Sequence, residues 1–127
     1  MLDGSRYSLA DSRGSVTLIS IWSPESLASR KCIWELQRFA AMYESRGVRT
    51  IAISTLQDRD ELRAFLKSRK LSLPVAVIGN NDLGEFKEFA LPVVYVFDRE
   101  GKLQATREGL FSLRTLERLV APQMKDR

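Results

Sequence analysis

A short, almost uninterrupted apolar run, SVTLISIW at residues 15–22, stands out from the mixed polar and apolar chain around it. Its length and β-branched residues predict a strand buried on both faces, near the middle of a sheet. Ser23 and Pro24 come next, a capping hydroxyl and a residue suited to a first helical turn, so a helix is expected to start there. Cys32, Leu36, Phe39, Ala40 and Tyr43 recur along it at helical spacing, and Gly47 supplies the stop. VRTIAIS, 48–54, predicts a second strand, and strand, helix and strand in that order imply a parallel crossover.

DRDELRAFLKSRK, 58–70, predicts a helix with acids in its first turn and bases in its last, matching the helix dipole. LPVAVIG, 73–79, reads as a short strand or an extended segment, and NNDLGEFKEFA, 80–90, as a loop with one helical turn. LPVVYVFD (91–98), REGK (99–102) and LQATREG (103–109) predict a strong strand, a tight turn and an antiparallel return. A last amphipathic helix is expected from a Ser112 cap to about Val120, stopped near Pro122. The sum is one α/β domain over 1–127, a mixed central sheet with helices on both faces, without repeat or linker.

Composition leaves that picture in place and narrows the chemistry. One cysteine and no histidine exclude an internal disulfide, a Cys/His zinc site and a Ser-His-Asp triad within the chain. The net charge of +4 is spread over interleaved bases and acids, as on solvated helix faces, so no nucleic-acid partner is expected. Nothing calls for a metal or another cofactor. No apolar run is long enough to span a bilayer, so no membrane contact is expected of this domain itself, although a signal or anchor upstream of Met1 is compatible with the sequence.

Three ordered stretches carry a family resemblance. LDGSRYSLADSRGSVTLISIW (2–22) resembles a short hairpin and turn leading into a central strand. RDELRAFLKSRKLSLPVAV (59–77) is similar to an inserted helix and the segment after it. LPVVYVFDREGKLQATREGLFSLRTLERLV (91–120) resembles a strand opened by a cis-proline, its turn and a closing helix. Together they resemble the thioredoxin-like superfamily, in its thiol-disulfide interchange and cytochrome-maturation branch, the redoxin or AhpC/TSA-type proteins. The resemblance implies a thioredoxin-like three-layer sandwich and a location in the periplasm or on the extracytoplasmic side of the membrane. It also implies a further strand, and a signal or anchor, before Met1.

In that family a Trp ends the central strand, and the two cysteines of the redox pair come four and seven residues later. Counted from Trp22, those positions are Ser26 and Ser29. The exchange reaction needs two thiols there, the first acidified by the helix N-terminus, and a hydroxyl neither forms a disulfide nor ionises near neutral pH. A Glu and a Pro that often support the pair correspond here to Cys32 and Trp34, and the residue after the cis-proline, commonly Thr, is Val93. No catalytic residue is therefore expected.

The resemblance implies a binding surface of Trp22, Glu25, Ser26, Leu91, Pro92 and Val93, where a partner protein or extended peptide could pair with the main chain near a cis Leu91–Pro92 bond. Cys32 itself reads as a small buried hydrophobe on the apolar face of its helix, and Trp34 as a partly exposed aromatic off that face. Three functions stay open: a redox-inactive binding domain; an oxidoreductase whose cysteines were replaced by serine; and a one-cysteine peroxidase using Cys32, with Arg30 or Lys31 as the activating cation.

Overall fold

The computed structural model describes residues 14–55, 58–71, 75–77 and 91–124. The element order is β1 (Val16–Trp22), α1 (Leu27–Tyr43), a 3₁₀ turn (Glu44–Arg46), β2 (Val48–Ser54), α2 (Arg59–Ser68), β3 (Val75–Val77), β4 (Val93–Phe97), β5 (Leu103–Glu108) and α3 (Leu113–Met124). The strands form one mixed sheet in the order β3-β2-β1-β4-β5. β1 runs parallel to β2, from Val16 opposite Val48 to Trp22 opposite Ser54, and antiparallel to β4, where Ile21 faces Val93.

All seven residues of β1 are buried, which places the apolar run at the middle of the sheet as its composition demands. Alternation sends Val16, Leu18 and Trp22 to one face, where they pack with Cys32, Leu36 and Phe39 of α1, Leu62 of α2, and Leu116 and Val120 of α3. Ile19 and Ile21 go to the other face and pack with Ile51, Ile53, Val93 and Phe97. No described helix is long and apolar enough to cross a membrane.

Three expectations about boundaries need correction. α1 starts not at Ser23 and Pro24 but at an N-cap on Ser26, whose backbone is extended and whose side chain accepts the N–H of Ser29. Residues 23–26 form a separate turn first, closed by the Ser26 N–H on the Ser23 carbonyl at 3.0 Å. The helix does not reach Gly47 as an α-helix: its last turn tightens to 3₁₀ at Glu44–Arg46, and Gly47 ends that turn in the left-handed region at φ 84°. α3 is not stopped by Pro122 but runs on to Met124. Pro122 thus lies within the last turn of the helix, which lacks the main-chain bond that an N–H at 122 would have made.

Other signals hold. Ser112 caps α3, its Oγ accepting the Thr115 N–H while Thr115 Oγ1 accepts the Ser112 N–H, both at 3.2 Å. The segment at 73–79 contains the short strand β3, parallel to β2. The hairpin turn is organised by Asp98, whose Oδ1 accepts the Glu100 and Lys102 amides at 2.9 Å. These bonds, led by the one from Lys102, hold its carboxyl below the usual range. The expected hairpin before residue 14 and the loop at 80–90 lie outside the described residues.

Candidate functional site: the turn into α1

β1 delivers Trp22 to the C-terminal end of the central strand, and the chain turns through Ser23, Pro24 and Glu25 into α1. Three serines spaced three apart build this turn. Ser23 Oγ accepts the Glu25 N–H at 3.1 Å, Ser26 Oγ the Ser29 N–H at 3.2 Å, and Ser29 Oγ the Ser23 N–H at 3.2 Å. The last of these bonds is buried and spans six residues, tying the first helical turn back to the end of β1. Ser26 and Ser29, the two positions that the sequence resemblance sets against a redox pair, thus act as main-chain acceptors, one half-buried and one buried. Hydroxyls suit that use because they accept at the distance a cap requires.

Cys32 lies one turn beyond Ser29 on the same face and is 2% exposed. Its Sγ accepts the Phe111 N–H at 3.3 Å and stands 3.6 Å from the Phe111 carbonyl oxygen, which the thiol proton can reach. The thiol therefore joins α1 to the loop before α3. Burial pushes its pKa up, with the Glu35 carboxylate adding to the rise, while the Phe111 hydrogen bond and the Arg107 charge oppose it. A buried thiol kept protonated lacks the exposed thiolate that peroxide chemistry needs. Trp34 is exposed on the far side of α1.

The 91–93 segment reaches the same end of the sheet. The Leu91–Pro92 peptide bond is cis. Val93 sits opposite Ile21, one residue before Trp22, so β4 begins where β1 ends. The Pro92 carbonyl accepts the Gly109 N–H at 2.8 Å, which locks the start of β4 to the end of β5. Leu91, Pro92, Val93 and Trp22 all have buried side chains, whereas Glu25 is exposed. Trp22 packs against Phe65 of α2, ring centroids 5.6 Å apart, and its Nε1 has no hydrogen-bond partner among the described residues. Among the described residues no group of His, Cys, Asp and Glu could hold a metal ion.

Sequence reasoning missed the Ser23 and Phe111 contributions. The S-x-x-S-x-x-S spacing from 23 to 29 carried the first signal, since hydroxyls at that interval can cap one turn after another. Phe111 had no local signal, because it meets Cys32 only through the tertiary fold.

The comparisons agree with this architecture. A secreted thiol-disulfide isomerase from Corynebacterium glutamicum superposes with a TM-score of 0.83 at 16% identity, covering 97% of this chain and 78% of that one. A thiol:disulfide interchange protein of the thioredoxin family from Chlorobium tepidum gives 0.81 at 18% identity, over 98% and 90% of the two chains. These likenesses show a thioredoxin-like α/β sandwich. The thiol-disulfide oxidoreductase ResA of Bacillus cereus is 24% identical over 103 residues, 80% of this chain, which spans 60% of that relative's length. The thioredoxin-like protein YneN of Bacillus subtilis is 20% identical over 119 residues, 91% of this chain and 69% of that one. The AhpC/TSA family model matches residues 1–106, taking in β1, the serine turn, α1 and the strands from β2 to β4, so the chain belongs to the AhpC/TSA family of thioredoxin-like proteins.

Proposed function

We propose that this chain is a redox-inactive thioredoxin-like domain that binds a partner protein or an extended peptide beside the Leu91–Pro92 turn. The observation that carries this reading is the use of Ser26 and Ser29 as main-chain acceptors at the two places where exchange needs thiols. The one cysteine offers no substitute, being buried and bonded to Phe111. With the Leu91, Pro92 and Val93 side chains buried, recognition falls on the Leu91 main chain and the exposed Glu25, a strand-like mode that tolerates varied sequences.

Titration of the isotope-labelled chain with an unfolded, carboxymethylated polypeptide tests this reading. Saturable shifts are expected at the Glu25, Ser26, Leu91 and Val93 amides; shifts confined elsewhere, or none, would contradict it.

A second reading, an oxidoreductase whose pair was replaced by serine, draws support from the names of the relatives. The Ser26→Cys/Ser29→Cys chain separates the two. The binding reading expects a disulfide without family-like reactivity, since Cys32 and Trp34 stand at the supporting positions. Rapid exchange with a dithiol would favour the second reading instead. An extracytoplasmic location is part of the proposal, supported by the similar Corynebacterium isomerase being a secreted protein.

A further inference from the structure

We propose that the outward face of α1 is a docking surface for an acidic amphipathic helix of a protein partner, independent of peptide binding at Leu91. α1 has two faces. One is buried through Ser29, Cys32, Ile33, Leu36, Phe39 and Tyr43. On the other, Leu27 is 60% and Trp34 44% exposed, two of the five large apolar side chains exposed among the described residues, the others being Met42, also on α1, and Leu103 and Leu110 on and just after β5. Seven residues make almost two turns, so Leu27 and Trp34 fall in one row about 10 Å apart, with Ala41 a further seven residues along. Met42, 49% exposed, borders the far end of the row.

The charges beside this row select the partner. Arg30, Lys31 and Arg38 are all exposed and flank it on both sides. Arg38 is paired with Glu35 at 3.1 Å. Arg30 closes the first turn of α1, which contains no acid, and Lys31 opens the second, so they add to the positive end of the helix dipole rather than offsetting it. α2 is built the opposite way, with Asp60 and Glu61 in its first turn. A seven-residue apolar row flanked by cations at the positive end of a helix is complementary to a helix carrying apolar residues at the same interval and carboxylates beside them. A second copy of this chain would bring cations against cations. A bilayer rewards buried apolar area, and a row one side chain wide offers little.

Two synthetic helical peptides of about three heptads test the proposal, both with Leu at the heptad positions, one flanked by Glu and one by Lys. Trp34 is exposed and Trp22 buried, so a blue shift of tryptophan emission reports contact at this face. The acidic peptide is expected to bind saturably, about tenfold or more tighter than the basic one. Arg30→Glu/Lys31→Glu should invert that preference, and Trp34→Ala, which lacks the emission reporter and is therefore followed by the fluorescence anisotropy of a dye-labelled acidic peptide, should weaken acidic-peptide binding about tenfold with an unchanged melting temperature. Equal affinity for the two peptides, no saturable binding, preference unchanged by the charge reversal, or a larger shift with phosphatidylglycerol vesicles than with the acidic peptide would overturn it.

Discussion

At the scale of single residues, Ser29 does the most to separate this site from a dithiol. Its Oγ is the acceptor for the Ser23 amide, a buried bond across the turn. Ser29→Ala should leave that amide unpaired and lower stability by about 1–3 kcal/mol, measured by urea unfolding, whereas Ser26→Ala should cost a cap, about 0.5–2 kcal/mol. A neutral Ser29→Ala would mean that the hydroxyl has no structural use. Cys32 was legible in the sequence as a member of the apolar face, and the structure adds the Phe111 bond that no local pattern could announce. With burial and a raised pKa acting together, alkylation of Cys32 by iodoacetamide in the folded chain should be far slower than after unfolding in urea. Comparable rates in the two states would contradict the placement of the thiol.

Among the elements, the strands were read well because their patterns are local: a fully buried β1, a second parallel strand and a hairpin set by Asp98 and Gly101. Helix ends were read less well. At α1, three hydroxyls in sequence compete to be the cap, and only the turn through Ser23–Ser26 decides that the last extended residue is Ser26. At the other end of the helix, Gly47 was recognised as a stop, but not the 3₁₀ turn that precedes it. A Cβ at Gly47 would meet nothing within 4 Å, so substitution there is opposed by backbone conformation alone. Gly47→Ala is expected to lower stability by about 1–2 kcal/mol in thermal or urea unfolding, and Gly47→Asn by less. An equal loss for the two variants would point to a different cause.

For the molecule as a whole, three groups share one pH dependence. Burial raises the Cys32 and Tyr95 pKa values, and at Tyr43 the leading cause is the hydrogen bond to Glu117, whose Oε2 accepts from the hydroxyl at 2.6 Å. All three hold their protons more tightly in the folded chain than in the unfolded one. Their contribution is complete below the unfolded pKa values, about 8.5 for the thiol and about 10 for the phenols, and is lost as pH rises through the higher folded values. The urea midpoint should therefore fall steadily above about pH 8.5, and less steeply in Tyr43→Phe. A midpoint flat to pH 11 would contradict these assignments.

The thioredoxin-like scaffold around the site was recognisable in three stretches of sequence because its strands and turns keep their local signatures. The serine network was not, because the same residues that mark a missing redox pair also build a self-contained turn. The central proposal is that this turn belongs to a binding domain and does not exchange thiols. The measurement that tests it most directly is the rate of insulin reduction by dithiothreitol with and without the chain. The two rates should coincide at every protein concentration, and an acceleration that grows with protein concentration would contradict the account.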